Sequence, residues 1–102
     1  MKQLSLIIHA NLKQSATDFL RGLDVVENFT FSEVEGHGSQ AVNDDELSNK
    51  DRVVGYIPRL RVEMLLSDEY LEPVLTALRK FQDTKSQKNL YWVTDVKEHG
   101  WF

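Results

Sequence analysis

No cysteine occurs in the 102 residues. That removes disulfide scaffolds, thiolate metal sites, cysteine nucleophiles and thiol redox chemistry together, and it fits a reducing compartment. Nor is there a run of lysine or arginine. Twelve basic residues are dispersed among sixteen acidic ones for a net charge of -4, the wrong balance for tracking the phosphates of a nucleic acid. No apolar stretch approaches the length that crosses a bilayer. The N-terminal MKQLSLIIHANLK alternates polar and apolar residues with no small-residue cleavage site after it, so it reads as a strand and not as an export signal. A cytoplasmic protein that does not span the membrane is expected. P-loop, nucleophile-elbow and zinc-protease motifs are all missing, which argues against an enzyme.

What is present suits one domain over residues 1–102: 41% hydrophobic content in a chain of this length supplies one core and too little for two. Modest burial also favours association with copies of itself. From Gln3 to Ala10, Leu4, Leu6 and Ile8 alternate with Ser5, Ile7 and His9, the period of a strand. Asn11 and Ser15 offer caps for a helix whose Ala16, Phe19, Leu20 and Leu23 recur at helical spacing. NFTFSEVE, residues 28–35, predicts a second strand that exits at Gly36 and Gly38. The polar stretch from Gly36 to Asp51 is longer than most connections and reads as a functional loop. Val53 to Leu66 reads as one long strand, with Leu60, Val62, Met64 and Leu66 on one side, Arg61 and Glu63 on the other, and Pro58 marking an edge or bend.

Ser67, Asp68 and Glu69 then introduce a helix carrying Leu71, Val74, Leu75 and Leu78, with Pro73 near its first turn. The polar QDTKSQKN is a loop, and LYWVTDV a fourth strand dense in aromatic and β-branched residues. The order strand, helix, strand, strand, helix, strand predicts an α+β ferredoxin-like βαββαβ sandwich, an antiparallel four-stranded sheet with two helices on one face. The other face needs a cover. Ile7, Leu65 and the aromatics of strands two and four would make it partly apolar, which favours a partner subunit.

The segment FTFSEVEGHGSQ, followed after a polar loop by RVVGYIPRLRVEMLLSDEYLEPVLTALRKF, resembles the middle of the PII nitrogen-regulatory superfamily, which includes the CutA-like proteins. The specific signal is SEVxGxGxQ, joined by the pattern of Tyr56-Ile57-Pro58-Arg59-Leu60-Arg61. The resemblance implies a homotrimer with a ligand cleft between subunits, and it makes residues 36–51 a shortened T-loop. It would place Gly36, His37, Gly38 and Gln40 in that cleft. In the family a glycine-rich loop after the second helix and basic residues near the C terminus hold nucleotide phosphates. Here Gln82 to Asn89 has no glycine, and the end Val96-Lys97-Glu98-His99-Gly100-Trp101-Phe102 has one lysine and no arginine. ATP binding in the family manner is therefore not expected. The T-loop also lacks a tyrosine, so the family's tyrosine modification does not carry over.

Imidazole suits zinc, copper and nickel. None of His9, His37 and His99 forms a metal-spaced pair in sequence, and His9 reads as a packing or hydrogen-bonding residue. In a trimer, His99 and Glu98 of one subunit would approach His37 of the next. With Glu35 or Asp44 they would make an intersubunit metal site; the alternative is a solvent-facing hinge and tail. Asp44, Asp45 and Glu46 lack the alternating ligands and glycine turn of a calcium loop. They read as a solvated run that could dock on a basic patch of a partner protein. Trp101 and Phe102 suggest intersubunit packing or stacking on a ligand. The functional expectation is a trimeric regulatory or sensing protein that binds a small ligand or metal ion and contacts a partner, such as a membrane transporter, through loop 36–51. A metal-tolerance protein and a purely structural trimer stand beside it.

Overall fold

In the computed structural model, which describes residues 1–37, 55–81 and 89–102, the alternation of Leu4, Leu6 and Ile8 does what its period dictates. The strand β1, Lys2–His9, runs through the middle of the sheet and turns these three side chains onto the core at 6% exposure or less. The helix α1, Lys13–Arg21, follows a 3-10 turn at Ala10–Leu12. The remaining elements are β2, Phe29–Gly36, β3, Ile57–Leu66, the helix α2, Leu71–Phe81, and β4, Leu90–Asp95. The sheet order is β2-β3-β1-β4 with every neighbouring pair antiparallel. This is the ferredoxin-like α+β arrangement. Among the described residues no helix is long and apolar enough to cross a membrane.

Registers divide the sheet into two unlike faces. Leu4, Met64, Phe29 and Val93 share one row and Leu6, Val62, Phe31 and Tyr91 the next, all on the side of the helices. There Ala16 and Leu20 of α1 and Val74 and Leu75 of α2 close one core. The opposite face has rows of Thr30, Glu63, Ser5 and Trp92, and of Ser32, Arg61, Ile7 and Leu90. No described element covers it. The expectation that the aromatics of both outer strands enrich this face is corrected: Phe29 and Phe31 pack on the core, Tyr91 shares their side, and Trp92 alone is on the open face. Ser5 is buried there because its hydroxyl lies low in the pleat between the longer Glu63 and Trp92, and Gln3 Nε2 reaches both its Oγ at 3.3 Å and Glu63 Oε2 at 2.6 Å.

Two local expectations shift, and the one for Pro58 holds. The long strand begins at Ile57 and not at Val53: residues 53 and 54 lie outside the described part, and Gly55 adopts φ +79°, a left-handed conformation that interrupts extended chain. Pro58 pairs with Glu35 on one side only, because β1 ends at His9 opposite Arg59. Proline is tolerated where the strand is locally an edge. The turn into α1 is capped by His9, whose Nδ1 accepts a hydrogen bond from the Asn11 backbone N–H at 3.1 Å, while Ser15 Oγ donates to the Leu12 carbonyl. His9 is therefore a structural histidine.

Ion pairs hold the end of the sheet where β1 begins. The Met1 ammonium meets Asp68 Oδ1 at 2.6 Å, and Lys2 Nζ pairs with Asp95 across β1 and β4. The hydrogen bond from the ammonium holds the Asp68 carboxyl below its ordinary value of 3.8. Its contribution is present above that value and is lost as pH falls through the lower folded value. The Asp95 hydrogen bond and charge hold Lys2 above 10.5, so that contribution is present below 10.5 and is lost as pH rises through the higher folded value. All these groups face solvent, and the effects are small. Amide protection, taken relative to the intrinsic exchange rate at each pH, is expected to fall at Gln3 and Thr94 towards both pH extremes before that of the core amides of Leu6 and Val62 changes; a uniform fall would contradict local fraying.

Candidate functional site

Where β2 hands the chain to loop 36–51, two sets of side chains meet on opposite sides of one strand end. On the open face Gly36 lies opposite Ile57, and the stem of Arg59 crosses directly over it. A Cβ at position 36 would fall 2.9 Å from Arg59 Cγ and 3.2 Å from the Ile57 carbonyl. What a side chain here would meet is this close approach, not a positive φ. The bare backbone lets an arginine lie across the strand and puts a guanidinium at the loop root. Val34, Arg59 and His9 form the adjoining row of this face.

On the helix side of the same strand end, His37 Nε2 lies 3.0 Å from Glu35 Oε1, and its ring packs at 5.6 Å from that of Tyr56. Residues i and i+2 of an extended chain share a face, so Glu35 and His37 come together and Gly36 turns the other way. Both partners are more than half exposed. An imidazole beside a carboxylate can hold a divalent metal when joined by further donors. Among the described residues, no three histidine, aspartate or glutamate side chains converge in that way.

The other expected site residues are distributed unequally. Glu98 and His99 are exposed beyond the end of β4, where the Val96 N–H donates to the Met1 carbonyl. That is the opposite end of β1 from His37, roughly 23 Å at about 3.3 Å per residue. Within one chain the His37, Glu98 and His99 set is not assembled, and only a neighbouring subunit could complete it. Gly38, Gln40, Asp44, Asp45 and Glu46 lie outside the described residues, as does most of loop 36–51. Trp101 and Phe102 are fully exposed and touch no core element. Two residues of the loop root had no role on sequence grounds, Arg59 and Tyr56. The signal was present: both stand within four residues of Gly55, Arg59 pairs with Val34 near the end of β2, and a Pro-Arg step where a long loop re-enters a strand carries its charge back to the loop's start.

Substituting Gly36 with alanine is expected to leave the melting temperature nearly unchanged. A strand glycine replaced by alanine gains roughly 0.5–1 kcal/mol of backbone entropy, which offsets the displacement of a flexible stem. The Arg59 Nε–H resonance should nonetheless move, since the added methyl occupies its path. A large fall in melting temperature would show that the strands, and not Arg59, had to give way.

Comparisons with known proteins bear on the family and the fold. The family model described as "Protein of unknown function (DUF3240)" matches residues 1–102. The Nitrogen regulatory protein P-II of Rhizobium leguminosarum bv. viciae is 32% identical over 79 residues, covering 76% of this chain and 71% of its own. That of Rhizobium meliloti (strain 1021) is 27% identical over 84 residues, 82% of this chain and 74% of its own. The crystal structure of a DUF3240 family protein from Shewanella baltica OS155 superposes with a TM-score of 0.77 at 19% identity, covering 99% of this chain and 94% of that one.

Proposed function

The chain belongs to the DUF3240 family and is a divergent PII-like protein, and from that premise we propose that it is a trimeric, non-catalytic regulatory protein that senses a small ligand or metal ion at the root of loop 36–51. The observation that carries the reading is the pairing of Gly36 with Arg59. A glycine kept bare so that a guanidinium crosses the loop root makes sense where an anionic group must be met. The trimer is supported by the open sheet face, on which Leu65, Leu90 and Trp92 are exposed at 44%, 59% and 38% and which a neighbouring subunit would cover. Ligand occupancy would couple to the contact of Asp44, Asp45 and Glu46 with a basic patch on a protein partner, such as a membrane transporter. Adenine nucleotide is a poor candidate, because residues 82–88 offer no glycine and residues 96–102 no arginine.

A second reading, a metal-binding protein of metal tolerance, is favoured by the His37 and Glu35 pair. His99 and Glu98 of the next subunit would supply further ligands. A thermal-shift screen with zinc, copper and nickel salts, small dicarboxylates, adenine nucleotides and cyclic dinucleotides separates the two. A ligand of the native state at a hundred times its Kd stabilises by about 2.7 kcal/mol. A regulatory ligand is expected to lose its effect in Arg59→Gln and keep it in His37→Ala. A metal should show the reverse by calorimetry. If nothing in the screen stabilises the protein, the sensing role fails and a structural trimer is left.

A further inference from the structure

On the helix side of the sheet, α1, α2, β1 and β4 border a cavity of about 220 Å³. Its floor is made by Leu6, Ile8, Ala16, Leu20 and Leu75, each no more than 6% exposed. Phe19 and Phe81, stacked with ring centroids 4.6 Å apart, form one wall. Tyr91, 47% exposed, marks the opening, and the start of β4 at Leu90 borders it. Among the described residues, Arg79 on the exposed side of α2 is the one charged side chain of the lining.

Protein interiors rarely keep voids larger than a water molecule. An apolar cavity on the order of 150 Å³ stays dry and takes up small apolar molecules. Residues 82–88, Gln-Asp-Thr-Lys-Ser-Gln-Lys, which join Phe81 to Asn89 in the sequence, contain no Leu, Ile, Val, Met or aromatic residue that could fill an apolar cavity. Drug-sized pockets begin at about 300 Å³, which places the occupant at the small end of ligands. We infer that this cavity is a binding site for a small amphiphilic carboxylate, a short alkyl chain or single ring lying on the leucine floor with its acid group on Arg79. The site is independent of the loop root and of the ligand proposed there.

The test uses the full chain with methyl-labelled Ile, Leu and Val, titrated with sodium octanoate below micelle-forming concentrations and, separately, with octan-1-ol. Saturable shifts are expected at Leu6, Ile8, Leu20 and Leu75, with the exposed Leu65 on the other face unmoved. A charge-assisted contact at a partly wet mouth is worth about a factor of ten. Arg79→Gln should therefore weaken octanoate about tenfold and leave octanol unchanged. Ala16→Leu, which fills the floor, should abolish both; if it loses native methyl dispersion, Leu78→Trp at the mouth takes its place. Non-saturating shifts, shifts that include Leu65, or undiminished binding in the filled variant overturn the site. Equal affinity for octanoate and octanol in the wild type overturns the carboxylate assignment.

Discussion

Leu4→Ala is expected to destabilise the protein by about 2–5 kcal/mol, the range for removing a fully buried leucine whose space the surroundings cannot close. Leu4 is completely buried, in the central strand, in one row with Met64 and Val93. Both sheet neighbours are themselves paired, so the backbone has little freedom to collapse into the void. Domains of this size have about 5–15 kcal/mol in all. Each kcal/mol corresponds to about 4–8 °C, so a fall in melting temperature of more than about 10 °C should follow. Leu65→Ala makes the contrast within the same sheet, since Leu65 lies on the open face at 44% exposure. In the monomer its loss should be near neutral. Chemical denaturation of both variants checks this, and equal losses would mean that the core does not lie where the registers put it.

The second large effect concerns assembly. Leu65→Asp combined with Trp92→Asp should convert the proposed trimer into a monomer with an intact fold. Both side chains project from the face that the helices leave bare, and a contiguous apolar surface there is what a neighbouring copy would bury. Desolvating an unpaired carboxylate costs several kcal/mol, and about 1.4 kcal/mol is a factor of ten in affinity. Two such groups per subunit exceed what a contact between small subunits can absorb. Thr76→Asp on the exposed side of α2 serves as the control that leaves mass unchanged. Light scattering of the three proteins decides it. A wild-type monomer, or a double variant that keeps the wild-type mass, removes the trimer from the proposed function.

Much of the fold was legible because its signals are periodic and local. Leu60, Val62, Met64 and Leu66 repeat every second residue over β3, and Leu71, Val74, Leu75 and Leu78 repeat at helical spacing. A period needs no knowledge of neighbours to be read. Faces of outer strands are harder, and the misplacement of Phe29 and Phe31 shows why. Aromatic enrichment marks a strand without saying which side it turns; that depends on register, and a shift of one residue reverses every side chain. The candidate site was legible in position but not in composition. The motif SEVEGHGSQ pointed to the end of β2 as the place of interest. Arg59 stayed hidden because its partner Gly36 is 23 residues away and contributes no side chain.

The sequence by itself determined the number and kind of elements, the periodic residues of the core in β1, β3 and the two helices, and the lack of thiol chemistry, since composition and periodicity are properties of the chain alone. Only the tertiary structure decided which face of the sheet Gly36 and His37 each take, that the chain leaves β4 towards His99 at the far end of the sheet from His37, and that Arg59 crosses Gly36. Each depends on how distant segments are registered in the sheet, and that is set by burying many side chains at once, not by any one of them.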